Sequence, residues 1–356
     1  MSKHKIGIIG CGSIANAAHI PSYLANDSAE IAYFCDILPE RARAAVEKYG
    51  CGKAVTDYKE VLADASVDAV SVCTPNDAHG LIAVDALNAG KHTLCEKPAA
   101  RTLTEALEMQ RVCGETGKIL NIGVVNRFND AVNRVKAIID GGGLGEVYSV
   151  YVSFRSHRAI PGLGGAFTTK AVSGGGVLID WGVHFLDIVM YCCGDPLPRT
   201  VSGAAFCKLG NPIGDYTYTD MWAGPPNPHG VCDVDDAVTG VVRTSGPVIT
   251  FNGAWAQNIG ENEMFIDFMG TKAGIRLNYG ADFVQYGAAD GMLTKTGYTL
   301  GAGGMFGGAF QNEIDAFLRC TETGEKLPSH IDTVLVTARL LDAIYRSAEK
   351  QEEVTL

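Results

Sequence analysis

The hydrophobic positions of the first 125 residues fall in short runs, each followed by a helix-like stretch. Ile6 to Ile9, Ile31 to Cys35, Val67 to Cys73, His92 to Cys95 and Lys118 to Val125 have the length and side chains of strands. Runs of this kind, with little polar alternation, suit parallel strands covered on both faces. Between them, Pro39 to Tyr49, His79 to Ala89 and Thr102 to Thr116 have helical composition. Gly90 stops the second helix. Thr102 is placed to cap the third, with Glu105 three residues on to complete a capping box. Strand and helix in alternation predict an α/β unit built on a doubly wound parallel sheet.

The pattern changes near Val125. From about Val147, segments rich in Val, Tyr, Phe and Thr alternate with glycine turns, as in Tyr148 to Phe154, Ala237 to Arg243, Val248 to Trp255 and Met264 to Met269. They predict an open, mostly antiparallel sheet with few helices. The chain closes on two helical stretches, Gln311 to Cys320 and Ser329 to Lys350. In the second, Val334, Ala338, Leu341, Tyr345 and Ala348 share one face, as core packing requires. The organisation expected is therefore a first domain over 1–125 and a second over 126–356, with no Pro/Ser linker. Gly301 to Gly308 reads as a mobile loop. Cys207 to Asp233 contains Asn211-Pro212, the aromatic stretch Tyr216 to Trp222 and Pro225 to His229. It reads as an insertion serving as a lid or an oligomer contact, or else as an ordered surface loop.

Composition narrows the function. At 356 residues and 47% hydrophobic, the chain has material for two cores. Twenty-nine basic against 40 acidic residues give a net charge of −11, a poor match to nucleic acid or an anionic membrane. No run of about 18 apolar residues predicts a membrane span. Gly10 and Gly12 interrupt the apolar run nearest the N-terminus, so no signal peptide is expected. The 11 cysteines are scattered, apart from Cys192-Cys193, without a CxxC spacing. They read as reduced thiols in a cytoplasmic protein.

The chemistry begins at the end of the first strand, in Gly10-Cys11-Gly12-Ser13-Ile14-Ala15. Gly10 permits a tight turn, and Gly12 lets the backbone approach a pyrophosphate. Ala15 lets the helix pack close to the strand, while the N–H groups of its first turn, from Ser13 and Ile14 onward, face phosphate charge. Asp36, at the end of the second strand, would accept from the ribose hydroxyls of NAD and repel the 2′-phosphate of NADP. Arg41 and Arg43 follow closely and keep NADP as the lesser alternative.

Two further clusters fall at strand ends. Thr74-Pro75-Asn76 with His79 reads as a nucleotide contact or as a strand exit capped by Asn76. In Glu96-Lys97-Pro98 the proline holds Lys97 extended; an ordinary Glu–Lys surface pair is the alternative. A third cluster runs from Ser173 through Gly174, Gly175 and Gly176 into a predicted helix carrying Asp180, His184 and Asp187. Spaced i, i+4 and i+7, these share one face. A histidine among carboxylates exchanges a proton near neutral pH, with an aspartate holding its tautomer; a buried, satisfied His–Asp pair is the alternative. Metal ligation is disfavoured, because no cysteine pair or second histidine lies nearby.

Taken together, these segments resemble the Gfo/Idh/MocA family, which includes glucose–fructose oxidoreductase and inositol dehydrogenase. The resemblance spans nearly the whole chain. It rests on the glycine motif, Thr74-Pro-Asn-x-x-His79, Glu96-Lys97-Pro98, Asn126-Arg127-Phe128, the Gly-Gly-Gly segment through Asp180, His184 and Asp187, and Gly270 to Ile275. It implies an N-terminal Rossmann domain and a C-terminal α/β domain whose open sheet mediates dimers or tetramers. It further implies NAD bound by the glycine motif, Asp36, Arg41, Thr74, Pro75, Asn76, His79 and Glu96, and a cis Lys97-Pro98 bond. Lys97, Asp180 and His184 are implied to line a cleft facing the nicotinamide. His184 would take the hydroxyl proton as hydride leaves the carbinol carbon, Lys97 would hydrogen-bond the oxygen, and Asp180 would orient substrate or imidazole.

Arg127, Arg155, His157, Arg158 and Trp181 border the implied cleft as candidate substrate contacts. An aromatic such as Trp181 suits a polyol or sugar ring, and the acidic chain favours a neutral small molecule over a phosphorylated one. The expected activity is NAD-dependent oxidation of a secondary alcohol of a sugar, inositol or glycoside. Two other readings are a redox glycosidase that oxidises a sugar's C3 hydroxyl to loosen the glycosidic bond, and an inactive NAD-loaded sensor. The presence of both lysine and histidine disfavours the sensor.

Overall fold

Six short strands form the first sheet: β1 His4–Ile9, β2 Ala29–Cys35, β3 Lys53–Val55, β4 Ala69–Val72, β5 His92–Glu96 and β6 Leu120–Gly123. All are parallel, in the order β3-β2-β1-β4-β5-β6. The near-continuous apolar character of the runs is explained by burial on both faces: Ile6, Ile8, Phe34, Val70 and Leu94 are each fully buried. The strand order reverses between β1 and β4, and the crevice outside the strand ends at such a switch point is where open α/β sheets bind ligands. The computed structural model describes residues 3–218, 221–280, 282–299 and 308–356.

Local signals predicted the helices of this unit closely. Pro39–Tyr49 has the expected bounds. Leu103–Thr116 opens on the expected capping box: Thr102 Oγ1 accepts the Glu105 N–H at 3.2 Å, and Glu105 Oε2 accepts the Thr102 N–H at 3.1 Å. Asn76–Asn88 begins earlier than His79, so Asn76 is its first helical residue and not its cap. The strand Lys53–Val55 and the helix Tyr58–Ala63 are short and went unpredicted.

The chain forms two compact units, Met1–Phe128 with Gly308–Leu335, and Asn129–Gly307 with Val336–Leu356. The stretch Gly308–Leu335 thus groups with the first unit, beyond a single break near 125. The helix Ala309–Thr323 returns to the first unit because its Ile314, Phe317, Leu318 and Cys320 complete the core around Ile6, Ile8, Phe34 and Leu94. The helix Ile331–Lys350 is divided between the units after Leu335.

The second unit carries β7 Val147–Arg155, β8 Pro198–Phe206, β9 Ala237–Thr244, β10 Val248–Ala254, β11 Glu263–Gly270, β12 Gly274–Asn278, β13 Phe283–Ala289, β14 Met292–Tyr298 and β15 Val354–Thr355. They form one sheet in the order β14-β13-β12-β11-β7-β10-β9-β8-β15. Every pairing is antiparallel except β7 with β10. Alternate residues Val150, Val152 and Phe154 are fully buried and share a core with Phe185, Leu186 and Val189 of the helix Val183–Cys192. Lys170–Cys192 is the one stretch among the described residues long and apolar enough to pass for a membrane span, and 78% of that window is buried inside the protein. It is a core helix.

Cys207 to Asp233 is anchored in its own unit. Asp236 Oδ2 accepts the N–H groups of Lys208, Leu209 and Gly210, and Tyr216, Met221 and Cys232 join the core. Thr219 and Asp220 of its aromatic stretch lie outside the described residues, as does the expected mobile loop apart from Gly308.

Candidate active site

In the first unit, Gly10 has φ +93°, and a Cβ there would stand 2.4 Å from the Cys73 carbonyl oxygen. Glycine is therefore required by conformation and by space. At Gly12 a Cβ would meet nothing within 4 Å, so the turn opens onto free space where the backbone can approach a ligand. The following helix widens into a π turn over Ala15–His19 before Ile20–Leu24, a departure from the regular helix expected. Ala15 is fully buried.

Asp36 leaves the end of β2 and faces this turn. Its Oδ2 accepts the Cys11 N–H and its Oδ1 the Leu38 N–H, each at 2.9 Å. Burial, and then Asp36, pushes the Cys11 thiol up to about 12, so it stays uncharged. Arg41 is exposed on the next helix. Thr74 Oγ1, beyond β4, is buried without a hydrogen-bond partner. The open direction at Gly12, the helix start beside it and this orphan hydroxyl fit a dinucleotide. Gly10, Gly12, Ser13, Ile14 and Ala15 would hold its pyrophosphate, Asp36 its ribose, and Thr74, Pro75 and Asn76 would border it.

His79 is fully buried, with Nδ1 2.9 Å from the Pro98 carbonyl and Nε2 2.9 Å from the Thr74 carbonyl. Burial lowers its pKa, so the ring is neutral near pH 7 and donates to one of the two. It braces the turns on either side and does not project outward. Lys97 follows β5, half-buried, with the Lys97-Pro98 bond cis. Glu96 instead turns inward, 7% exposed, with Oε1 2.8 Å from His19 Nε2. Arg127, a candidate substrate contact, is 1% exposed, and its Nη1 donates to the Pro328 carbonyl at 2.9 Å. That placement makes it an internal brace, because a buried guanidinium must satisfy its donors where it lies.

In the second unit the three glycines serve close packing. A Cβ at Gly176 would stand 1.9 Å from the Asp235 carbonyl oxygen, and one at Gly175 would stand 2.1 Å from the Tyr345 hydroxyl. Asp235 caps the helix that follows: it accepts the Gly176 N–H at 2.8 Å, the Leu178 N–H at 3.0 Å and the Tyr345 hydroxyl at 2.7 Å. Burial pushes its carboxyl up, against the pull of these donors. Removing the carboxylate strands three donors, two of them at a helix start. Asp235→Ala is therefore expected to lower unfolding stability by about 3 kcal/mol, measured by denaturant titration, whereas a loss below about 0.5 kcal/mol would refute the cap.

Above that cap Leu178–Gly182 is a π turn, and Val183–Cys192 continues as a regular helix. Asp180 and His184 are both half-buried, and Asp180 Oδ2 accepts the Trp255 indole N–H at 3.2 Å. The His184 ring lies 6.4 Å from that of Tyr279, which stacks on Phe185. Asp187 is 1% exposed and accepts from Thr337 Oγ1 at 2.8 Å, so it belongs to the core. Arg155 is paired with Glu263 at 2.5 Å. His157 is exposed at the surface, Arg158 donates to Asn258 Oδ1 at 2.7 Å, and Trp181 is half-buried against the core. Sequence reasoning missed Asp235, Trp255 and His19. Of these, only Asp235 carried a signal, as an acidic pair with Asp236 directly before an apolar strand.

Comparison with known proteins decides the lineage. The oxidoreductase family model with an NAD-binding Rossmann fold, Gfo/Idh/MocA, matches residues 4–124, and the model of that family's C-terminal domain matches 132–276. The chain belongs to the Gfo/Idh/MocA family. As a Gfo/Idh/MocA member it is an NAD-binding oxidoreductase. It is 33% identical over 277 residues to D-glucoside 3-dehydrogenase of Escherichia coli (strain K12), covering 77% of this chain and 76% of that one. It is 25% identical to inositol 2-dehydrogenase of Rhizobium meliloti (strain 1021), covering 99% of each. A solved levoglucosan dehydrogenase in complex with NADH and levoglucosan shares the fold at a TM-score of 0.86, with 22% identity over 100% of this chain and 99% of the other.

Proposed function

We propose that this oxidoreductase oxidises a secondary alcohol of a neutral sugar, inositol or glycoside with NAD. The observation that carries the reading is the half-buried Asp180–His184 pair, held on a capped helix, in a chain that also keeps Lys97 beyond β5. NAD, when bound, supplies the hydride acceptor. Lys97 donates to the substrate oxygen and stabilises the negative charge that develops on it. His184 takes the hydroxyl proton as general base. Asp180, fixed by Trp255, orients the hydroxyl or the imidazole. Trp181 offers an aromatic face to the ring.

The relationship to D-glucoside 3-dehydrogenase supports glycosides as well as free sugars. The test is a panel of hexoses, inositols, glycosides and sugar phosphates with NAD, followed in the nicotinamide absorbance band. Net NADH from a neutral sugar, inositol or glycoside, and little from the phosphates, is the expected result. Aglycone release without net NADH would move the assignment to a redox glycosidase. Turnover confined to phosphorylated substrates would overturn the reading.

A further inference from the structure

Unit 1 holds a buried polar chain behind Lys97 that the proposed chemistry does not use. The Tyr23 hydroxyl and Ser71 Oγ are 2.8 Å apart, and Ser71 Oγ lies 3.4 Å from His19 Nδ1. His19 Nε2 is 2.8 Å from Glu96 Oε1, and Glu96 Oε2 accepts the backbone N–H of Lys97 at 3.0 Å. Tyr23 and His19 are each 1% exposed, Ser71 is fully buried and Glu96 is 7% exposed. The chain therefore runs through the interior from the helix behind the glycine turn to the backbone of the candidate catalytic lysine.

The surroundings fix both the charge and the place of Glu96. Burial opposes a charge on His19, and the Glu96 carboxylate 2.8 Å from its Nε2 favours one. Burial raises the Cys73 thiol, so Glu96 is the acid that pairs with the imidazole. Glu313, from the helix Ala309–Thr323, is buried with both carboxyl oxygens lacking hydrogen bonds; burial and the Glu96 charge hold it protonated. Space is equally constrained. A Cβ at Gly123, at the end of β6, would come within 3.2 Å of Glu96 Cα, Cδ and Oε2, so the glutamate fills the place a side chain would take.

A buried ion pair adds little stability over apolar side chains of equal volume, but its geometry is narrowly defined. Here that geometry ends on one residue. Lys97 is held at its N–H by Glu96, and the next residue, Pro98, is held at its carbonyl by His79. We propose that Glu96 and His19 are positioning residues that fix the Lys97 backbone so that its ammonium meets the substrate oxygen. This rests on the role given to Lys97 above. It also ties the coenzyme cradle to the lysine, because His19 and Tyr23 ride on the helix that opens at the glycine turn.

Two arms test it, one independent of turnover. In steady-state kinetics, Glu96→Ala and His19→Gln are each expected to lower kcat by about tenfold to a hundredfold, with KM for NAD within about twofold. Glu96→Gln, which keeps an acceptor for the Lys97 N–H, recovers most of that loss. In a Lys97→Ala background, Glu96→Ala costs nothing further, because its effect passes through the lysine. In hydrogen exchange on the full chain, the peptide containing Lys97 exchanges faster in Glu96→Ala and His19→Gln. If Glu96→Ala fails to fold, His19→Gln and Gly123→Ala, which crowds Glu96, carry the same expectations.

Wild-type kcat together with unchanged Lys97 exchange would overturn the proposal. So would an equal loss of kcat with and without Lys97, which would mark a general structural effect. If the wild-type protein oxidises no alcohol, the functional reading fails, and the exchange arm still reports whether Glu96 and His19 hold Lys97.

Discussion

Alanine at Lys97 or at His184 is expected to lower turnover by about 100-fold or more while leaving the fold and NADH binding intact. Oxidising a carbinol requires the hydroxyl proton to leave as hydride departs, and a group that accepts it in the transition state commonly accounts for a factor of this size. A hundredfold corresponds to about 2.7 kcal/mol of transition-state stabilisation. Both side chains are half-buried and neither belongs to a core cluster, so truncation removes chemistry and leaves packing in place. The check is steady-state NADH formation alongside thermal unfolding and a fluorescence titration with NADH. Wild-type kcat in either variant, with fold and binding retained, would remove that residue from the mechanism.

The second large effect concerns the coenzyme. Asp36 is held beside the glycine turn by the Cys11 and Leu38 N–H groups, which fix its carboxylate without neutralising it. A fixed anion at that position excludes a 2′-phosphate by like-charge repulsion and accepts from ribose hydroxyls. Asp36→Ala is expected to shift the ratio of kcat/KM for NAD over NADP by roughly 100-fold towards NADP. Asp36→Asn keeps an acceptor oxygen for one of the backbone donors and still loses the repulsion, so it separates charge from loop order. An unchanged ratio in both variants would show that this carboxylate does not meet the ribose.

What could be read from the sequence follows from how local each signal is. Gly10 and the Thr102–Glu105 capping box are fixed by a few neighbouring residues, and the tight turn and the cap both formed as expected. The parallel sheet was equally legible, since its strands read as apolar runs separated by helices. The return of Ala309–Thr323 to the first unit was not legible, because packing against residues some 300 positions away decides it. Strands β8, β12, β13 and β14 were missed for another reason. In β14, apolar residues stand at exposed positions, Met292 at 67% and Leu293 at 94%, so the inside–outside alternation that marks a strand is lost there.

The candidate site was legible in its outward-facing residues and not in their supports. Lys97, Asp180 and His184 sit in recognisable motifs. His19, Asp235 and Trp255 act through contacts 77, 59 and 75 residues distant in sequence, and only Asp235, paired with Asp236 before a strand, carries any local signal. Arg127 shows the opposite limit: its motif reads as a ligand site, while its burial and its bond to the Pro328 carbonyl come only from the structure.

The proposed chemistry moves hydride from a neutral carbinol to NAD with the help of Lys97 and His184. Methyl glucoside, glucose and myo-inositol, each deuterated on their carbinol carbons, can be incubated with NAD and the coenzyme recovered for mass spectrometry. Deuterium is expected in the coenzyme from at least one of them with the wild-type protein, with a rate of labelling reduced at least about 100-fold in Lys97→Ala and His184→Ala. A coenzyme that gains no label from any of the three, or labelling that proceeds undiminished in both variants, would contradict it.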